Sequence, residues 1–264
     1  MPSSYAIKIT VALTISALFI AVAGLMPLVN AVVFCGFAAT VYFYFACSGR
    51  LVHNSLWAVM LVAGVFGATY RPAGFHYPLI IDEPFLHPGG PPFQLYINLS
   101  KALAGWMLVV FFWECLNEKP LVRGGKSALV VMGCILLILG MAWWLLNLKW
   151  VLKLPSATVY FIVVNVLVTC VAEEAFFRLL LQKHLMKWFA NGYLRLVVPA
   201  VFTGVLFALV HQIDLSSTIF VVYLLAGIGY ASVYALTGRF TFAVMAHAGV
   251  NIGHFLLLPY PLPA

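Results

Sequence analysis

The feature that most constrains this chain is a series of nine apolar segments, most of them as long as a bilayer is thick. A helix needs about 20 mainly apolar residues to cross the hydrocarbon core, and only helices or closed barrels satisfy the backbone there. We therefore predict an all-α, polytopic membrane protein with about eight to nine transmembrane helices, since the second and third segments are short. The segments lie near residues 9–29, 31–47, 52–70, 99–116, 128–148, 156–178, 196–213, 217–236 and 240–258.

The charged residues set the orientation of these helices. The chain is 64% hydrophobic and 8% charged, with a net charge of +7. Its basic residues lie in short loops, where they determine topology, so the charge does not indicate a nucleic-acid partner. Nine basic residues fall on one side of the membrane and four on the other. Because the side richer in basic residues is cytoplasmic, we predict a multi-pass protein of the cell (inner) membrane with its N-terminus in the cytoplasm. The nine are Lys8, Arg50, Lys119, Arg123, Lys126, Lys183, Lys187, Arg195 and Arg239.

The N-terminal half offers little chemistry. Its first segment resembles a signal peptide with a possible cleavage site at Ala23, and we favour a first spanning helix. The connection 71–98 contains six prolines, which exclude a regular helix and predict a loop. Residues 1–150 are thus expected to form transmembrane helices of unknown role.

Two adjacent glutamates interrupt the sixth apolar segment, in the sequence AEEAFFRLLL. Charge at membrane depth is costly and indicates function by default. On a helix, Glu174 and Arg178 share one face and can neutralise each other. Glu173 points about 100° away from that pair. We therefore expect Glu174 to be paired and Glu173 to have no competing local partner.

Two later segments carry polar pairs with helical spacing. Phe207 lies on the same face as His211 and is placed to wall its pocket, and His247 shares a face with Asn251. Counted from the cytoplasmic helix ends, the depths of Glu173 and these polar residues are about 12 to 24 Å. Helix tilt of about 20° absorbs such differences, so all four polar side chains are predicted to meet.

Each polar residue alone also has a structural reading. A membrane histidine or asparagine often forms only a helix–helix hydrogen bond, and buried glutamates can belong to an ion network or a proton path. The joint occurrence of one carboxylate, two histidines and one amide favours a water-activating site.

Three short sequences resemble the motifs of the CPBP family of intramembrane proteases (CAAX protease and bacteriocin-processing, Abi/Rce1-type). EEAFFR resembles its EExxxR motif, FALVH its FxxxH motif and HAGVN its HxxxN motif, in the same order. The stretch 226–251 also resembles the family's small residues, TG turn and final histidine helix. Leu179 departs from the glycine that often follows the arginine. The resemblance predicts a protease core over 155–258.

The resemblance implies an intramembrane endopeptidase that hydrolyses a peptide bond, near the membrane surface, of a membrane-anchored or lipidated protein. It implies that Glu173 and His211 activate water, and that His247 and Asn251 stabilise the oxyanion. Glu174, Arg178 and Phe207 would support them.

A cofactor is not expected, because the chain has no HExxH motif and asparagine is a poor zinc ligand. Zinc held by Glu173, His211 and His247 is the alternative. A non-proteolytic membrane scaffold or immunity protein of the same fold is the alternative function. A transporter would be expected to show inverted repeats, and the sequence shows none.

Overall fold

The computed structural model describes residues 4–189, 192–211 and 214–261, and the described chain is mostly helical. A short 3₁₀ turn, Trp113–Cys115, follows the fourth helix. The helices are α1 (Ser4–Val22), α2 (Leu28–Ala46), α3 (Arg50–Thr69), α4 (Leu99–Phe111), α5 (Gly125–Leu145), α6 (Thr158–Met186), α7 (Leu194–Val210), α8 (Thr218–Thr237) and α9 (Phe240–Leu257).

Each of the nine predicted apolar segments contains a helix. Among the described residues, seven helices are long and apolar enough to cross a membrane, whereas α4 and α7 are apolar but shorter. With 13 residues, α4 is about 20 Å long. The last two residues of the predicted segment 196–213 lie outside the described residues. The helices indicate a multi-pass membrane protein.

The connection 71–98 corrects the all-α prediction. Strands β1 (Leu79–Glu83) and β2 (Phe93–Tyr96) pair into a two-stranded sheet. Every proline of this connection lies outside the two strands, as expected because proline cannot donate a ladder hydrogen bond. The ring of Phe93 lies 5.8 Å from that of Phe255, which stacks on Phe161 at 4.0 Å. Burial of this aromatic group stabilises the hairpin.

Helix α6 contains two π-helical stretches, one on each side of the glutamates. The wider turn changes which carbonyl each N–H reaches, and tryptophans of other helices donate to two carbonyls here. Trp106 Nε1 lies 3.0 Å from the Leu167 oxygen, and Trp57 Nε1 lies 2.8 Å from the Leu180 oxygen. π-bulges often occur at functional sites. The stretches are Asn165–Cys170 and Ala175–Gln182.

Packing divides the chain into two units. The first contains α1 to α4 and the residues Leu167–Leu180 of α6. The second contains Ile81–Leu95, Asn117–Val166 and the chain from Leu181 onward. Helix α6 therefore contributes residues to both units. The predicted division into residues 1–150 and a core at 155–258 rests on sequence resemblance and stays a prediction.

Ion pairs within the second unit agree with the alternating helix directions. Glu118, in the connection before α5, accepts from Lys183 at 2.7 Å and from Arg195 at 3.3 Å. These contacts bring the connection before α5, the end of α6 and the start of α7 to the same end of the unit.

Candidate active site

The Glu174–Arg178 pair is confirmed. Arg178 Nε donates to Glu174 Oε2 at 2.7 Å, one helical turn apart, and both side chains are 0% exposed. Phe177 adds a ring 5.8 Å from the guanidinium carbon. Two opposite charges removed from solvent together require each other, because either one alone would be an uncompensated buried charge.

Glu173 also has an ionic partner, which the helical spacing around it does not predict. Lys101 Nζ, from α4, lies 2.8 Å from Glu173 Oε1, and the two side chains are 23% and 15% exposed. The expectation that no local group competes for Glu173 is therefore wrong. The partner comes from a different helix, 72 residues earlier in the sequence, so helical spacing around Glu173 could not have found it.

A close approach of two helices explains this contact. Gly105 of α4 packs against α6 so tightly that a Cβ there would lie 2.3 Å from Ala172 Cα. Lys101 stands one turn before Gly105, and positions i and i+4 lie on the same face of a helix. Ala172 immediately precedes Glu173. The absent side chain of Gly105 thus allows Lys101 to reach the carboxylate.

His211 caps the C-terminus of α7, and its backbone carbonyl partner fixes its tautomer. Its Nδ1 lies 2.7 Å from the carbonyl oxygen of Phe207. A carbonyl only accepts, so Nδ1 carries the proton and donates. In the neutral ring, Nε2 then has the lone pair, as a general base requires. The predicted Phe207–His211 contact is also confirmed, with ring centroids 4.7 Å apart.

Aromatic side chains connect the two histidines within the second unit. The Phe207 ring lies 5.7 Å from that of His247, edge to face, so Phe207 contacts both imidazoles. Tyr230 stacks on His247 at 4.6 Å with an interplanar angle of 14°. Tyr223 lies 4.5 Å from His211. His247 itself is buried.

The two tyrosines were not among the predicted site residues, although their spacing offers a signal. Tyr223 and Tyr230 are seven residues apart, which is two turns along one face of α8. Gly227 lies between them, and a Cβ there would come within 2.7 Å of the Gly204 oxygen in α7. This small-residue contact holds α8 against α7, so both tyrosines reach the histidines.

Asn251 follows His247 by one turn of α9, as predicted. Its Nδ2 lies 3.4 Å from Oδ1 of Asn165, which is buried at the start of the first π stretch of α6. Asn165 was not a predicted site residue. No spacing rule relates it to Asn251, because 86 residues separate them.

The predicted residues thus form two local groups, each within one unit. The first group contains Glu173 with Lys101 and Glu174 with Arg178. The second group is Phe207, His211, His247 and Asn251 with their tyrosine and asparagine neighbours. Among the described residues, no three His, Cys, Asp or Glu side chains are arranged as a metal site.

A comparison with protein-family models gives one match that contains all of these motifs. Residues 155–253 match the family described as type II CAAX prenyl endopeptidase Rce1-like. The chain therefore contains an Rce1-like domain of the CPBP family over these residues. A domain of this family implies an intramembrane protease. No curated protein and no solved structure is significantly similar to the chain.

Proposed function

We propose that this protein is an intramembrane endopeptidase that hydrolyses a peptide bond of a membrane-anchored or lipidated protein. The observation that carries the proposal is the Rce1-like match, because it contains Glu173, His211, His247 and Asn251 in the expected order. The protein would lie in the cell (inner) membrane with its N-terminus in the cytoplasm, as the distribution of basic residues favours.

Glu173 and His211 would activate the attacking water. A general base needs a lone pair within hydrogen-bond reach of its water. The carboxylate of Glu173 supplies one, and the Nδ1–Phe207 hydrogen bond leaves Nε2 of a neutral His211 to supply the other. Lys101 is a positioning residue in this proposal, since its ammonium holds Oε1 and orients the carboxylate.

His247 and Asn251 would stabilise the oxyanion that forms when water adds to the carbonyl. Donors that are already oriented supply most of such stabilisation. Stacking on Tyr230 orients the His247 ring, and Asn165 holds the amide of Asn251. Glu174 and Arg178 would act only through the shape of α6, because both side chains are sealed from solvent.

The family match and the apolar helices support the proposed substrate class. The family's name refers to prenylated CAAX proteins, and the seven apolar helices require a substrate that reaches the bilayer. A polypeptide anchored by a lipid or by its own apolar segment meets this requirement. Residues 1–150 would recruit the substrate or support α6.

The test compares the protein termini in membranes from cells that carry the natural chain, Glu173→Gln or Glu114→Gln. The first substitution removes the proposed base and preserves the shape of the side chain. Glu114 is exposed in the turn after α4, so its substitution makes the same chemical change away from the site. The proposal predicts one or a few membrane-anchored proteins that stay uncleaved only with Glu173→Gln.

Unchanged termini in cells with folded Glu173→Gln protein would contradict the proposal. That result would favour a non-proteolytic scaffold or immunity protein of the same fold, which is the second candidate.

Metal dependence has a separate test. We propose a glutamate-type hydrolase without a metal because asparagine is a poor zinc ligand and the chain has no HExxH motif. Elemental analysis of the purified chain is expected to find no stoichiometric zinc. One zinc per chain would instead assign Glu173, His211 and His247 as ligands.

A further inference from the structure

A cavity of about 330 Å³ lies at the predicted cytoplasmic end of the second unit, away from the histidines. One wall is the connection before α5, and the other is the turn between α8 and α9. Backbone hydrogen bonds join the walls, because the N–H groups of Leu121 and Val122 both donate to the Leu236 oxygen. Gly238 adopts a left-handed φ of +65°, and a Cβ there would lie 2.3 Å from the Glu118 oxygen. The cavity is therefore built into the fold.

The charge of this cavity is uncompensated. Arg123 and Arg239 line it, no Asp or Glu does, and neither arginine forms an ion pair within the described residues. Glu118 lies nearby in sequence, but its carboxylate is bound to Lys183 and Arg195. Two guanidinium groups beside one cavity attract an anion, and their planar forks match phosphate geometry.

Backbone dipoles add to the positive potential. Gly124 and Arg239 are the N-cap residues of α5 and α9, both line the cavity, and neither helix has a side-chain cap. The positive ends of two long helices thus meet at the arginines. Ser127 and Thr237 also line the cavity, but their hydroxyl groups donate to the backbone oxygens of Val122 and Val233.

The position of the cavity favours a ligand from the membrane surface. Three candidate spanning helices begin or end here, at Gly125, Thr237 and Phe240, and lipid headgroups lie at the two ends of a helix that spans the hydrocarbon core. Phe242 supplies an apolar wall, and the Arg239 guanidinium lies 5.4 Å from the centre of its ring. A phospholipid is amphipathic, with an anionic phosphate and apolar acyl chains, so a cationic contact beside an apolar one suits it.

We propose that this Arg123–Arg239 cavity binds a phosphate group, either in the headgroup of an anionic phospholipid or in a free phosphate ion. Basic pockets between the cytoplasmic ends of transmembrane helices are suited to such headgroups. The site is separate from the proposed protease chemistry and does not depend on it.

The experiment uses the full chain in phosphatidylcholine nanodiscs and two probes. The first probe is phosphatidylglycerol, counted as bound lipid by native mass spectrometry. The second is inorganic phosphate, measured by ³¹P line broadening. The test variant is R123Q/R239Q. The control is K119Q/K187Q, which makes the same change in net charge at two exposed lysines that do not line the cavity.

We expect R123Q/R239Q to weaken binding of one probe about tenfold or more, since each charge-assisted contact contributes substantially. The control is expected to stay within about twofold, because neither Lys119 nor Lys187 lines the cavity. Loss confined to phosphatidylglycerol identifies a lipid ligand, and loss confined to inorganic phosphate identifies a free ion. Equal binding of both probes by the test variant and the control would overturn the proposal.

Folding of the variants is checked by thermal unfolding in the same nanodiscs. If R123Q/R239Q does not fold, R123Q alone is tested, because Arg123 is exposed and no described side chain pairs with it. R123Q must then weaken the binding of one probe more than K119Q does. An equal effect of the two variants would again overturn the proposal.

Discussion

The two adjacent glutamates of α6 have opposite environments. Glu174 and Arg178 are 0% exposed and lie on the same helix, whereas Glu173 and Lys101 are 15% and 23% exposed and lie on different helices. A sealed pair stabilises the fold only while both partners remain. A pair with residual access can exchange a partner for water or substrate. Two neighbouring residues of one helix thus differ in burial and in the helix that supplies their partner.

The largest expected effect on stability follows from breaking the buried Glu174–Arg178 pair. Glu174→Gln replaces the carboxylate bound to the buried Arg178 guanidinium with a neutral amide, which should lower the free energy of unfolding by about 3 to 5 kcal/mol. Denaturation in detergent micelles measures this loss. The double variant Glu174→Leu with Arg178→Met is expected to regain most of it, because both charges are removed together. A single variant as stable as the natural chain would contradict the structural role.

A smaller effect is expected from separating α4 and α6. Gly105→Ala places a Cβ against the backbone of Ala172, and such overpacking costs about 1 to 3 kcal/mol. Gly133→Ala in α5 is the matched control, since no atom lies within 4 Å of the added carbon. Thermal unfolding of both variants compares them. Equal melting temperatures would show that the close approach is not needed.

Removal of the Lys101 ammonium tests the more exposed pair, Lys101–Glu173, directly. Lys101→Met should lower the cleavage rate about tenfold, because a charge-assisted hydrogen bond that orients Glu173 is lost. Lys101→Arg is expected to restore part of the activity, which a purely structural role of the lysine stem would not require. Cleavage of a membrane-bound substrate at saturating concentration is the measurement, and unchanged turnover in Lys101→Met would refute the positioning role.

The smallest effect concerns a lysine whose partner is a carbonyl rather than a carboxylate. Burial lowers the pKa of Lys153 from 10.5 to about 8, and its ammonium donates to the Leu258 oxygen. Between these pH values the unfolded chain binds a proton that the folded chain has lost, so stability should rise with pH from about 8 to 10.5.

Lys153→Met should flatten that rise, and Lys149→Met, at an exposed lysine four residues earlier, should not. Unfolding midpoints measured across this pH range compare the three chains. If the stability of Lys153→Met rises equally steeply with pH, the rise must come from other titrating groups.

Much of the fold could be predicted from the sequence because apolar length is a local property. Each of the nine segments contains a helix, and the Glu174–Arg178 and Phe207–His211 contacts follow from a spacing of one turn. The hairpin at 79–96 was missed because its strands are only five and four residues long and lie among prolines. So short a pattern is easily read as a loop.

The contacts that could not be predicted join distant parts of the sequence. Lys101 reaches Glu173 only because Gly105 allows α4 to approach α6, and Asn165 reaches Asn251 across 86 residues. Hydrophobic periodicity identifies which face of a helix is buried, but it does not identify the helix that packs against that face. The Trp57–Leu180 hydrogen bond at the second π stretch of α6 likewise joins residues far apart in the sequence.

The most direct test of the account compares Glu173→Gln with the natural chain in one bilayer preparation. Peptide-bond cleavage and thermal unfolding are measured on the same samples. The account predicts that cleavage falls by about 10² to 10⁴-fold, the usual contribution of a general base. It also predicts that the Glu173→Gln chain stays folded and that its melting temperature falls much less than that of Glu174→Gln. Cleavage at the natural rate by the folded variant would contradict a catalytic role for Glu173.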